Sequence, residues 1–293
     1  MAKIGIVGLG NVGSSIASGI VFDSIATDLY LFDRDPAKSE SVALDLSDLS
    51  STRSNGTIHG THTLDGLLES DVIIISVRAD FSNEFQRNIR DGGLLHNAQL
   101  LGEIAPAFHG YRGKVIMVTN PVDLMSRYFF ERSGLAVDQV FGIGSNLDTQ
   151  RYRQILSEMY GCSLPNISGR VIGEHGDSMV VLYSSTTYEG NRMQIDQGEV
   201  ERRLKERPQQ IMKGAQRTRY GPAGVVLRTI KRMIGNEVGH EELSTYHNGV
   251  FIGPPVRLNG DITSIFPLMD HVETGKFHAS YALLDAKYQQ LRG

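Results

Sequence analysis

The 293-residue chain has one cysteine, Cys162, which forbids an internal disulfide and suits a reducing, cytoplasmic setting. It has no apolar run near the roughly 20 residues that a membrane-spanning helix needs. The longest candidate, VIIISV at residues 72–77, is the length of a strand. Charge of either sign is in little excess: 29 Lys and Arg against 33 Asp and Glu give a net charge of -4 and a pI near 6.1. That balance points away from nucleic acid and from an anionic membrane as main partners. No repeat of fixed period and no low-complexity tract occurs, so neither a solenoid nor a disordered tail is expected. The length suffices for one large domain or two ordinary ones with a sizeable core.

What is present begins at the N-terminus. MAKIGIVGLGNVGSSIASGIVFDSIATDLYLFD reads as strand, glycine turn, helix and strand. Lys3 to Val7 is β-rich, and Val12, Ile16, Ile20 and Val21 recur at helical spacing, so Gly8, Gly10 and Gly13 stand where a strand hands over to a helix. In such a unit Gly8 permits the tight turn, Gly10 lets backbone approach a pyrophosphate, and Gly13 lets helix and strand pack closely. Asn11 and Val12 complete the turn, whose anion meets N–H groups at the helix N-terminus. Asp33 ends the second strand, where a carboxylate accepts hydrogen bonds from ribose hydroxyls and repels a 2′-phosphate, so NAD is expected over NADP. Arg34 would hold a 2′-phosphate if Asp33 turned away. The apolar start could pass for a signal peptide, but its glycines and its continuation into Asp33 suit a folded βαβ unit.

Strand and helix then alternate. Asp35-Pro36 opens a helix with Val42, Leu46 and Leu49 on one face, and Thr57 to His59 is a short strand. DVIIIS (71–76) and KVIMVT (114–119) read as strands buried on both faces of a parallel sheet, separated by a helical pattern from Asn83 to Phe108. The pattern predicts an α/β fold, a Rossmann-type doubly wound parallel sheet with ligands at the carboxyl ends of its strands, where Asn120 stands. The expected boundary falls at Gly144, with residues 1–144 a dinucleotide-binding domain and 145–293 an α+β substrate and catalytic domain.

In the second half Asn146 to Tyr160 reads as a helix capped by Asn146 or Asp148. Asp148 and Arg151 share a face three residues apart, which alone is compatible with a local ion pair. Ser168 to Gly173 is a strand candidate leading into GEHGDS, which puts His175 in a glycine-flanked turn. Glu199 to Arg217 is a charged surface helix, and Val225 to Ile234 and His278 to Leu291 are further helices. Val250 to Val256 and Asp261 to Phe266 form an expected hairpin through Asn259-Gly260. Cys162, after Gly161 in an apolar setting, reads as a packing residue.

The order of these words, GLGNVG, LFDRD, DVIIIS, FQRNI, VTNPVD, GIGSNLDTQRYR and VIGEHGDS, resembles the lactate/malate dehydrogenase family over nearly the whole chain. The resemblance implies an oxidoreductase moving a hydride between NAD(H) and a 2-hydroxy/2-oxo acid, in a homodimer or homotetramer. It implies that His175 gives a proton to the substrate carbonyl oxygen, that Asp148 orients the imidazole, and that Arg151 grips the substrate carboxylate. Asn120 would contact the nicotinamide ribose and the substrate oxygen. No metal is implied.

Two departures bear on the substrate. After DVIIIS the family carries a long mobile loop with an arginine that polarises the reacting carbonyl. Here only nine residues, Val77 to Phe85, precede Gln86 of FQRNI. Phe81 falls closest to the place of that arginine, and Arg78 is the one arginine inside the shortened loop. Arg87 and Arg90 belong to the following helix. In RTRYGPAGVV, Gly221 and Pro222 stand where the family places Thr, Ser or Ala beside the substrate side chain. A short lid and a glycine leave room for a 2-oxo acid bulkier than pyruvate, while a plain turn before the next helix also explains Gly221. Two other readings stay open: an NAD-binding protein whose catalysis is lost or unusual, and a metal-dependent NAD-using glycosidase, for which Cys162 is badly placed.

Overall fold

The computed structural model describes residues 2–51, 56–80, 93–259 and 262–292. Its first half alternates as the apolar spacing demands: β1 (Ala2–Val7), α1 (Asn11–Phe22), β2 (Ala26–Phe32), α2 (Pro36–Ser51), β3 (Thr57–Thr61), β4 (Val72–Ile75), α3 (Leu94–Ile104), β5 (Lys114–Met117), α4 (Val122–Ser133) and β6 (Val140–Ile143). The second half follows with α5 (Ser145–Tyr160), the two-residue strands β7 (Ile167–Ser168), β8 (Val171–Ile172), β9 (Val180–Val181), β10 (Thr187–Tyr188) and β11 (Asn191–Arg192), then α6 (Gln197–Ala215) and α7 (Tyr220–Met233). It closes with β12 (Gly239–His247), β13 (Val250–Ile252), β14 (Pro255–Leu258), β15 (Ile262–Ser264) and α8 (His271–Arg292).

Strands β3, β2, β1, β4, β5 and β6 pair in parallel in that order, with β1 at the centre, which is the doubly wound arrangement. Every side chain of β4 is buried because its two faces serve two cores. Ile73 and Ile75 pack with Leu101, Phe108 and Phe129 of the α3 and α4 side. Ile74 faces the other way, with Ile16 and Ile20 of α1 and Val226 and Ile230 of α7. Full burial of each such side chain contributes about 1.5–3 kcal/mol, which is why an unbroken VIII run specifies a central strand. A third cluster joins Tyr152 and Ile155 of α5 to Val171, Val200 and Leu204 under α6.

The sheet continues past Gly144: β12 pairs antiparallel with β6 through Leu243↔Ile143 and Ser244↔Gly142, and carries β14 and then β15 beyond it. Strand β12 has no counterpart in the sequence reading, and it corrects the expected single strand 250–256. Residues 250–252 turn back on β12 through Asn248-Gly249, while 255–258 pair with β15. Asn248 and Gly249 both have positive φ, 47° and 99°, as a tight hairpin turn of this type requires. Three further expectations are adjusted. The described part of the Asn83–Phe108 pattern is α3 and a 3-10 turn at Ala105–Phe108, and its start lies outside the described residues. The Ser168–Gly173 strand is two short strands with different partners, β7 with β10 and β8 with β9. The helix expected from Val225 begins at Tyr220, so Gly221 belongs to its first turn and not to a turn before it.

Candidate active site

At the carboxyl end of β1 the chain enters the glycine turn. Gly8 has φ +93°, and a Cβ there would come within 2.9 Å of Val77 N. A Cβ on Gly13 would come within 1.9 Å of Gly8 O, so the first turn of α1 can lie against the loop only as glycine. Gly10 faces open space, with nothing within 4 Å of a Cβ built on it. It precedes Asn11 and Val12, the first residues of α1, which has no side-chain cap. The helix end therefore presents N–H groups and a positive dipole end to an anion.

Asp33 is fastened beside this turn: Oδ2 accepts from Leu9 N at 2.8 Å and from Lys38 Nζ at 3.2 Å, and Oδ1 accepts from Asp35 N at 3.3 Å. Burial works against its ionisation, but these donors outweigh it and hold the carboxyl below the usual range. Arg34 pairs with Asp80, so its guanidinium is engaged across the start of the short loop. An uncapped helix end, open backbone at Gly10 and an oriented carboxylate fit a dinucleotide without a 2′-phosphate.

Asn120 follows β5, and its peptide bond to Pro121 is cis. A residue absent from the sequence reading holds this turn. Asn97 of α3, buried, donates from Nδ2 to Asn120 O and accepts from Ala79 N on Oδ1, both at 2.8 Å. One amide thus ties the first leg of the short loop to the Asn120 turn. Arg78, part-buried in that leg, loses some affinity for its proton through burial and the nearby positive charge of Arg217. The remainder of the loop, with Phe81, Gln86, Arg87 and Arg90, lies outside the described residues.

The imidazole is placed by the second half. Helix α5 starts at Ser145, with Gly144 as its cap residue and no side-chain cap, so Asn146 and Asp148 lie inside its first turn instead of capping it. Gly144 is required for a second reason: a Cβ there would reach within 2.5 Å of His175 Cβ. Asp148, almost fully buried, sets Oδ2 2.6 Å from His175 Nδ1, and its Oδ1 lies 3.5 Å from an Arg151 guanidinium nitrogen. A carboxylate acceptor at Nδ1 orients the ring. The local pair expected at Asp148 and Arg151 is thus the base of a three-residue cluster. Gly221 touches the same helix, since a Cβ there would lie 3.3 Å from Leu147 Cδ1.

Two buried carboxylates, Asp123 and Glu174, hold the histidine loop. Asp123, in the first turn of α4, accepts from His175 N at 2.8 Å and from Ser244 Oγ at 2.5 Å. Burial pushes its carboxyl up to about 7, with help from the negative charges of Glu174 and Asp148. Glu174 accepts from Ser178 N and Oγ at 3.1 and 2.6 Å and pairs with Lys287 of α8 at 2.9 Å. Apart from the local Glu174–Ser178 contacts, four positions apart, these contacts have no short-range pattern in the sequence. The other three join residues 52, 121 and 113 positions apart. The one available hint was the Asp closing VTNPVD. Among the described residues no group of three or more His, Cys, Asp or Glu side chains is arranged to hold a metal ion, and no helix is long and apolar enough to cross a membrane.

A dinucleotide fold with an anion-accepting helix end and a carboxylate-oriented imidazole defines the class of dinucleotide-dependent dehydrogenases. Within that class the chain belongs to the lactate/malate dehydrogenase family. Residues 2–142 match the family described as lactate/malate dehydrogenase, NAD binding domain. L-lactate dehydrogenase 2 of Enterococcus faecalis is 31% identical over 287 residues, spanning 91% of this chain and 89% of the relative. The L-2-hydroxycarboxylate dehydrogenase (NAD(P)(+)) of Methanocaldococcus jannaschii is 30% identical over 280 residues, 88% of each chain. Among solved structures, malate dehydrogenase of Cryptosporidium parvum superposes with a TM-score of 0.89 at 28% identity, covering 100% of this chain and 99% of its own. This protein is accordingly an NAD-dependent 2-hydroxy acid dehydrogenase of the lactate/malate type.

Proposed function

We propose that the cluster His175, Asp148 and Arg151 is the catalytic centre and that it reduces a 2-oxo acid bulkier than pyruvate. The contact of 2.6 Å between His175 Nδ1 and Asp148 Oδ2 carries the reading. His175 holds a proton on Nε2 and gives it to the carbonyl oxygen of the substrate. Asp148 keeps the ring oriented and stabilises its charged form. Arg151 takes the substrate carboxylate in a two-pronged, charge-assisted pair. NADH, when bound, supplies the hydride. Gly8, Gly10, Asn11, Val12 and Gly13 receive its pyrophosphate, Asp33 its adenosine ribose with Arg34 alongside, and Asn120 its nicotinamide ribose and the substrate oxygen. In this division residues 1–144 hold the dinucleotide and 145–293 bring the substrate groups.

The preference for a larger substrate is supported by the nine residues between Ser76 and Gln86 and by the absence of a side chain at Gly221. Arg78 supplies a cation near the start of the short loop in place of the arginine that family members carry further along it. A homodimer or homotetramer in the cytoplasm is the assembly and setting proposed, on the family relationship and the single cysteine.

The test follows NADH oxidation against a panel from pyruvate and oxaloacetate to branched and aromatic 2-oxo acids, and repeats the best with NADPH. The expected result is turnover with NADH that rises with substrate bulk and is abolished by His175→Asn. A clear preference for pyruvate or oxaloacetate over every larger analogue would overturn the substrate assignment, and full activity in His175→Asn would overturn the assignment of the acid. An unchanged maximal rate in Arg78→Leu would remove Arg78 from the site.

A further inference from the structure

We infer that Asp123 is a positioning residue for His175: its buried carboxylate takes the histidine's backbone N–H and so locks the GEHGDS loop to the turn that carries Asn120. The inference rests on His175 being the acid of the reaction.

Asp123 sits three residues after Asn120 and is only 3% exposed. Its two oxygens are divided between two separate parts of the chain. Oδ2 accepts from His175 N at 2.8 Å, and Oδ1 accepts from Ser244 Oγ at 2.5 Å on β12, the strand beside β6. The side chain therefore joins the turn after β5, the histidine loop and strand β12. Asp148 fixes the imidazole at its Nδ1, but a hydrogen bond to a ring nitrogen does not set where the main chain of His175 stands. Gly144 leaves no space for a Cβ beside the His175 side chain, Glu174 N is held by Ser280 Oγ at 2.9 Å, and at His175 itself the main chain is held by Asp123. The groups around the carboxylate are His175 and Glu174 on the loop, Asp148 on α5 and Ser244 on β12.

The consequence is geometric. Loss of the acceptor removes the partner of the His175 backbone N–H and lets the loop shift relative to Asn120. A displacement of about 1 Å at a reacting group costs on the order of 100-fold in rate. The glycine turn and Asp33, which receive the pyrophosphate and the adenosine ribose, lie away from that shift, and the Asn120 turn is still held by Asn97, so dinucleotide affinity is expected to hold.

The experiment measures kcat for the best 2-oxo acid and the NADH dissociation constant, by fluorescence, in the wild type, Asp123→Ala, Asp123→Asn and His175→Asn. The expected outcome is a fall in kcat of about 10- to 100-fold in Asp123→Ala with an unchanged NADH dissociation constant. Asp123→Asn should recover most of the loss, because the amide oxygen still accepts from His175 N and its NH2 can donate to Ser244 Oγ. Should Asp123→Ala not fold, Asp123→Leu, of similar size and without an acceptor, carries the same expectation. Wild-type kcat in the Ala or Leu variant overturns the inference, as does a loss of NADH affinity in step with kcat. Activity surviving in His175→Asn would instead overturn the assignment of the acid, on a variant separate from those at Asp123.

Discussion

His175 Nδ1 lies 2.6 Å from Asp148 Oδ2, although the two residues are 27 positions apart and come from different elements, a glycine-flanked loop and the first turn of α5. Asp148 is almost wholly buried, so the pair is shielded from water and its mutual attraction is correspondingly strong.

Substitutions that break this pair should act on chemistry and not on dinucleotide binding. His175→Asn and Asp148→Asn are each expected to lower kcat/KM for oxo-acid reduction on the order of 10²- to 10⁴-fold, the range of general acid–base catalysis. The NADH dissociation constant, measured in parallel, should hold at the wild-type value. A comparable weakening of NADH binding would show that the cluster supports the cofactor site instead.

Arg151→Lys keeps the charge and removes the planar fork. The expected loss is about 10- to 100-fold in kcat/KM, the equivalent of a charge-assisted hydrogen bond. Steady-state kinetics over a range of 2-oxo acids checks it, and an inhibitor carrying only a carboxylate should weaken alongside the substrates.

Asp33→Ser removes the carboxylate that Leu9 N and Lys38 hold in place. With the repulsion gone and Lys38 and Arg34 beside the site, NADPH should gain and NADH should lose. The ratio of kcat/KM for the two cofactors is the measurement, and an unmoved ratio would remove Asp33 from the ribose site.

The buried carboxyl of Asp123 makes stability depend on pH in a defined direction. Its folded value is pushed up to about 7 from an ordinary value of 3.8. Between the two, the folded state holds a proton that the unfolded state has released. The stabilisation is complete below 3.8 and is lost as pH rises through about 7. Asp123→Asn does not titrate, so its melting temperature relative to wild type should be more favourable at pH 8 than at pH 5. Calorimetry at the two pH values decides it.

The N-terminal turn, the alternation of strand and helix, the end of β5 and the triad His175, Asp148 and Arg151 could all be read along the chain. The turn, the alternation and the end of β5 rest on short-range rules, apolar period and the backbone freedom of glycine, whereas the three site residues rest on the resemblance of words such as GIGSNLDTQRYR and VIGEHGDS to the family. Sequence alone therefore determined the class of fold, the cofactor and the candidate acid. Only the tertiary structure decided what holds these parts together. Asn97 reaches Asn120 and Ala79, Asp123 reaches His175 and Ser244, Glu174 reaches Lys287, and β12 extends the parallel sheet into the second half. Those side chains have no characteristic spacing, because their partners are selected by packing between elements far apart in the chain. Local pattern fixes what an element is, whereas a buried polar contact exists only once two cores have closed around it.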